Sequence, residues 1–192
     1  MFEKHISGPT PPWPNASATK EKIKPRERPE WDAFYMAQAF IVSRKSMDPN
    51  SQHGCVVVST DNRPLSSACN GPIKGSDDEN IPLTRPEKYL HMIHSEENAL
   101  IFYSGSHSDI QDGTCYVTGR PCHRCLRMWI QKGIKRFVHG GVGWQAMESS
   151  AEVEATKLTL SDHPDVTLVK HENPDDIISI LRDTISYIGD RY

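Results

Sequence analysis

No apolar run in the 192-residue sequence approaches the roughly 18 residues that span a bilayer, so a membrane-spanning chain is not expected. Positive charge is not in excess. Its 22 Lys and Arg stand against 25 Asp and Glu, a formal charge of −3. A pI near 6.3 supplies no global field for a polyanion, which disfavours a general nucleic-acid binder. The first residues, Met1 to Pro14, lack the apolar centre of a secretory leader, and a cytoplasmic location is the expectation. Cysteine is sparse and odd in number: Cys55, Cys69, Cys115, Cys122 and Cys125. Without a leader, that count argues against a disulfide framework and for a reducing compartment with metal or redox chemistry.

Residues 1–29 hold six of the 14 prolines, at positions 9, 11, 12, 14, 25 and 29. Proline removes a backbone donor and fixes φ, so this segment reads as an extended arm. Trp13 is the candidate anchor, and the basic stretch Lys20 to Arg28 reads as a solvated linker, with a contact to a phosphate or a neighbouring subunit as the sharper alternative. From residue 30 to 192 the pattern is that of one α/β domain. Trp31, Phe34, Tyr35, Ala39, Phe40 and Val42 recur at helical steps, with a stop expected near Met47, before Asp48-Pro49. The run Gly54 to Ser59 is β-branched and continuous, as in a strand buried on both faces. A return strand over Leu65–Cys69 and a long polar loop over 70–90 follow. Helices are expected over Ser95–Tyr103, Cys122–Lys132 and Ala151–Leu160, and from Asn173 to about Ile188. Strands are expected over Thr114–Thr118, Ile134–His139 and Val166–Val169. This order implies a three-layer α/β/α sandwich around one mixed sheet of five strands.

Two short segments carry the chemistry. One is His94-Ser95-Glu96; the other is Pro121-Cys122-His123-Arg124-Cys125. A Cys-x-x-Cys at a helix start aims two sulfurs at one point, and the helix N-terminus favours their thiolates. A histidine at the start of another helix completes an S, S, N donor set suited to zinc. Three protein ligands leave the fourth tetrahedral position to water, as in catalytic zinc sites. Glu96, two residues from His94, points elsewhere than the ligand and is placed to shuttle protons. Two bland readings compete. A structural zinc knot would recruit Cys115, His91 or His123 as a fourth ligand, and would suit a non-catalytic module that binds a partner. A thioredoxin-like redox pair would leave His94 and Glu96 without a role.

The order His-x-Glu, then Pro-Cys-x-x-Cys, is the signature of zinc-dependent nucleobase deaminases. At these residues the chain resembles the cytidine-deaminase superfamily, and within it the deoxycytidylate (dCMP) deaminases. Ser46 to Gly54 is similar to that family's Ser-x-x-Pro-x-Ser-x-x-Gly stretch, Asn70-Gly71 with Pro72 and Gly75 to its Asn-Gly loop, and His94 to Ala99 to its His-Ala-Glu-x-Asn-Ala motif. Three positions depart from the pattern: Ser95 stands for alanine, Cys69 for an aromatic, and the loop proline comes one residue early at Pro72. The resemblance implies a deaminase domain over 30–192 that hydrolyses dCMP to dUMP and ammonia. It implies zinc held by His94, Cys122 and Cys125, proton transfer by Glu96, and a deoxyribose contact from Asn70. It also implies a homo-hexamer activated by dCTP and inhibited by dTTP with a divalent cation such as Mg2+, with the loop around Asn70, Gly71 and Lys74 as the suspected effector region.

Other positions are weaker. Lys45, Lys74 and Arg120 are candidates for the monophosphate, Arg120 being next to the cysteine turn. Ser95 is counted with the substrate contacts. Tyr116, Met128 and Trp129 read as core, and Cys55 and Cys69 as small buried side chains. His53 and His91 read as structural histidines, with pocket lining or a second metal site as the sharper alternative. Trp144 follows a glycine-rich run that suits a lid or a plain loop. Within the same superfamily, a tRNA adenosine deaminase or a riboflavin-pathway deaminase is the alternative; a tRNA enzyme should show a basic face, which the net charge does not support.

Overall fold

The computed structural model describes residues 25–142 and 149–191. The proline-rich arm up to residue 24, including Trp13, and the run containing Trp144 lie outside the described residues. The order is α1 (Trp31–Ser43), β1 (Gly54–Val58), β2 (Pro64–Cys69), a 3-10 turn (Glu87–Leu90), α2 (Ser95–Phe102), α3 (His107–Ile110), β3 (Thr114–Val117), α4 (His123–Lys132), β4 (Arg136–His139), α5 (Ser150–Asp162), β5 (Thr167–Lys170) and α6 (Pro174–Gly189). The expected single five-stranded mixed sheet is present, ordered β2-β1-β3-β4-β5. β1 is antiparallel to both β2 and β3, while β3, β4 and β5 run parallel.

β1 sits second from one edge and is buried along its whole length. This is why its Cys-Val-Val-Val sequence shows no polar alternation. Its residues divide between two cores. Cys55 and Val57 join Leu126, Trp129, Phe137 and Ile134 on the face covered by α2, α4 and α5. Val56 and Val58 join Tyr35, Met36 and Ala39 of α1 and Ile177 of α6 on the other. The three layers follow from that split. Gly54 opens the strand where α1 crosses it. A Cβ there would lie 2.1 Å from the Ala39 carbonyl oxygen, so only glycine allows this approach. Gly133, at φ 109°, ends α4 in the left-handed conformation, as its position after Lys132 predicts.

Four expectations need correction. α1 stops at Ser43 rather than near Met47. The chain tightens into three-residue steps, Lys45 N to Val42 O and Ser46 N to Ser43 O, and Asp48 turns inward to meet a buried lysine. Residues 70–90 are not featureless: they contain the 3-10 turn, and Gly71 pairs with Ile93 as a β-bridge. β4 begins at Arg136 rather than Ile134, because Ile134 instead closes the end of α4 through its N–H to the Trp129 carbonyl. Cys69 and Met128 are half-buried, not core. Among the described residues no helix is long and apolar enough to cross a membrane.

Candidate functional site

Both chemistry-bearing segments begin helices on the same face of the sheet. His94 is the N-cap of α2, with extended backbone (φ −68°, ψ 154°). Its N–H is accepted by Glu97 Oε2 at 3.1 Å, which fixes the helix start. Cys122 is the N-cap of α4, and Cys125 lies in the first turn, fully buried. Two contacts lock the helices together: Arg124 Nη2 donates to Glu97 Oε2 at 2.8 Å, and the Trp129 indole N–H donates to the Glu96 carbonyl oxygen at 3.0 Å.

The ligand atoms of His94, Cys122 and Cys125 all lie within 4.8 Å of one another. His94 Nδ1 is 3.6 Å from Cys122 Sγ and 3.5 Å from Cys125 Sγ. A tetrahedral zinc ion, with bonds of about 2.3 Å to sulfur and 2.05 Å to nitrogen, sets its sulfur and nitrogen ligands roughly 3.6 Å apart. The donor set and its spacing therefore fit zinc. The Cys125 thiol hydrogen bond, followed by the His94 ring, pulls Cys122 down to about 3, while the Cys122 sulfur holds His94 up at about 9 and, with burial, pushes the Cys125 thiol up.

Among the described residues no fourth histidine, cysteine or carboxylate joins the group. The fourth ligands a structural knot would need are elsewhere. Cys115 Sγ lies 3.4 Å from Cys55 Sγ inside the core, His123 Nε2 bonds to Thr159 Oγ1 at 3.0 Å, and His91 is exposed.

Glu96 is 5% exposed and faces the same cavity as the cluster. Burial raises its pKa above the ordinary carboxylate value, against the pull of His94 and a 2.7 Å hydrogen bond donated by Ser95 Oγ to its Oε2. Ser95 also lines the cavity, and its hydroxyl sets the orientation of the carboxylate.

The cavity measures about 500 Å3. The structure brings Asn70 and Arg120 into its wall, but Lys45 and Lys74 are exposed and do not line it. Asn70 is buried and already stitches the wall together: its Oδ1 accepts the His53 N–H at 2.8 Å, and its Nδ2 donates to the Ser51 carbonyl at 2.8 Å. Its second amide N–H is the donor left for a ligand.

Sequence reasoning missed two wall residues, Lys88 and Arg85, and gave pocket lining only as the alternative for His53. Lys88, read as loop, is 2% exposed, and its Nζ lies 2.6 Å from Asp48 Oδ2. Burial works against the Asp48 charge. The Lys88 ammonium, with the N–H groups of Asn50 and Ser51, nonetheless holds its carboxyl below the usual value. Arg85 reaches Ser51 Oγ at 3.3 Å from the cavity rim. His53, expected to be structural, lines the cavity directly. The available signal was the cationic spacing Arg85-x-x-Lys88 ahead of His94, which alone does not separate a wall from a solvated loop.

The family model for the cytidine and deoxycytidylate deaminase zinc-binding region matches residues 29–141. The deoxycytidylate deaminase of Homo sapiens is 33% identical over 115 residues, which cover 57% of this chain and 64% of that protein. A probable deoxycytidylate deaminase of Caenorhabditis elegans is 38% identical over 106 residues, 53% of each chain. The chain thus spans just under two thirds of the length of the human relative and about half that of the nematode one. Among solved structures, the apo dCMP deaminase of cyanophage S-TIM5 superposes with a TM-score of 0.54 at 25% identity, covering 75% of this chain and 99% of that one.

Proposed function

Because this chain belongs to the cytidine and deoxycytidylate deaminase family, we propose that it hydrolyses dCMP to dUMP and ammonia. The observation that carries the reading is the S, S, N cluster with zinc spacing, joined by no fourth protein ligand among the described residues and faced by a buried carboxyl. The matched relatives named for this activity support the choice of substrate within the family.

His94, Cys122 and Cys125 are the residues that would hold zinc. Zinc supplies Lewis acidity, which brings the ionisation of water towards neutral pH. Glu96 does the proton work. Burial raises its basicity, so as the carboxylate it can accept a proton from the water whose oxygen bonds to C4, and give it to the ring N3. It then carries the remaining proton of that oxygen to the exocyclic amine, so that the C4–N bond breaks, ammonia leaves and the C4 carbonyl of dUMP forms. Ser95 keeps Oε2 aligned through these transfers. Asn70 offers its free amide N–H to the deoxyribose. Arg120 and Arg85 line the cavity and offer guanidinium groups to the 5′-phosphate. The segment 70–90 covers the cavity and limits water, which strengthens these charge interactions.

The same reading includes a cytoplasmic homo-hexamer, activated by dCTP and inhibited by dTTP with Mg2+. Two features support it. Exposed Ile101 and Phe102 on α2 and Ile185 and Ile188 on α6 offer apolar surface for self-association. Gly71 exchanges both backbone hydrogen bonds with Ile93, the residue before His94, so an effector on the 70–75 loop would act one residue from the metal ligand.

The test is ammonia release from dCMP, cytidine, guanine and tRNA in parallel, with and without dCTP and dTTP. Turnover of dCMP above the others is expected. Preferential turnover of guanine or tRNA would move the chain to another branch of the superfamily. No turnover of any substrate by zinc-loaded protein would sink the enzymatic reading.

A further inference from the structure

His53 immediately precedes β1 and lies in the wall of the cavity. Its ring lines the cavity and occupies a notch made by Gly119: a Cβ at Gly119 would lie 2.8 Å from His53 Cε1 and 2.9 Å from Nδ1. The residue is held at three points. Its N–H is bound by Asn70 Oδ1 at 2.8 Å, its carbonyl accepts the Asn70 N–H at 3.1 Å, and Nδ1 lies 3.3 Å from Thr118 Oγ1. Among the described residues Nε2 has no hydrogen-bond partner. The ring is thus fixed at one nitrogen, with the other left for a ligand.

Its position along the cavity selects the ligand group. It is tied by two hydrogen bonds to Asn70, the residue given to the deoxyribose, and shares the cavity wall with His94, Asp48 and Lys88. A nucleotide with its base at the metal cluster and its phosphate at the cationic wall places its sugar between them. A hydroxyl is also the group that suits either tautomer of the ring, because it both donates and accepts. In dCMP the sugar hydroxyl is the one at C3′. We infer that His53 is a specificity-determining residue that hydrogen-bonds the 3′-hydroxyl of the substrate through Nε2, with Gly119 and Thr118 setting its ring in place. This inference rests on the dCMP deaminase reading above.

The experiment compares kcat/KM for dCMP with kcat/KM for 2′,3′-dideoxycytidine 5′-monophosphate, in the full zinc-loaded chain. In His53→Val, the value for dCMP should fall roughly fivefold to tenfold while that for the dideoxy substrate stays unchanged, so their ratio falls by the same factor. His53→Gln, which keeps a donor and an acceptor, should restore part of the ratio. Gly119→Ala, whose Cβ would meet the ring at 2.8 Å and the Val142 carbonyl oxygen at 3.0 Å, should lower the ratio as His53→Val does, and it serves where the valine variant does not fold. A ratio unchanged in these variants, or both substrates slowed equally, overturns the inference and leaves the deaminase reading intact. A wild-type chain inactive on dCMP overturns that reading and this inference with it.

Discussion

Lys88 Nζ and Asp48 Oδ2 lie 2.6 Å apart with side chains only 3% and 2% exposed, joining the 3-10 turn to the segment that follows α1. Removing one member of such a pair strands a buried charge, which costs about 3–5 kcal/mol. Lys88→Met should lower the unfolding free energy by that amount in urea titration. The double variant Lys88→Met with Asp48→Leu should recover only part of it. Asp48 also accepts the N–H groups of Asn50 and Ser51, at 2.8 and 3.0 Å, and leucine leaves both donors unpaired. Full recovery would show that those two bonds contribute nothing.

Two groups divide the acid response into separate windows. Burial, then the Arg120 and Lys170 charges, depress His139 to about 4, and its Nδ1 has no hydrogen-bond partner among the described residues. Below its unfolded value of about 6.5 the unfolded chain takes a proton that the native chain refuses, so stability falls from pH 6.5 down to about 4, by up to about 3 kcal/mol. His139→Gln should flatten that window in pH-dependent urea unfolding. Asp48, whose native value is depressed, acts in the other window. Its contribution is complete above its unfolded value near 3.8 and is lost as pH falls through the native value. Asp48→Asn should therefore change the curve below pH 4 and leave the His139 window in place.

The cluster of His94, Cys122 and Cys125 and the layers around it could be read from sequence for different physical reasons. Cys122 and Cys125 are three apart at a helix start, so local geometry alone brings their sulfurs together. Val56, Val57 and Val58 declare a strand buried on both faces by lacking any polar alternation. Lys88 and Asp48 are 40 positions apart, and a lysine in a polar stretch carries no sign that it will be buried. His53 likewise gains its meaning from Thr118 and Gly119, more than 60 residues on, which reach it only through the pairing of β1 with β3. The strand order, with β1 between two antiparallel neighbours, is also a tertiary result that no periodicity encodes.

Glycines at the two ends of this region should respond in opposite ways. A Cβ at Gly54 meets the Ala39 carbonyl oxygen at 2.1 Å and the Ser43 nitrogen at 2.7 Å, both backbone atoms of α1 that cannot swing aside. Gly54→Ala should cost about 3 kcal/mol or more, because the helix must move off the strand. At Gly71 an added Cβ meets nothing within 4 Å, and Gly71→Ala should stay within about 0.5 kcal/mol of wild type. Thermal melts of the two variants side by side make the comparison.

Glu96 and the cluster beside it should separate binding from turnover. Glu96 is no member of the S, S, N set, so Glu96→Gln should retain one zinc per chain by elemental analysis. The amide cannot accept and return a proton, so kcat on dCMP should fall by about 10²–10⁴. Cys125→Ala removes a ligand that is fully buried in the first turn of α4 and should lose both metal and activity. If Glu96→Gln lost zinc as Cys125→Ala does, the carboxyl would be holding the metal rather than moving protons. The hydrogen bond from Ser95 refines the same point. Ser95→Ala, the smaller change, frees Oε2 without removing the acid, and should slow turnover by less than Glu96→Gln while leaving zinc content untouched.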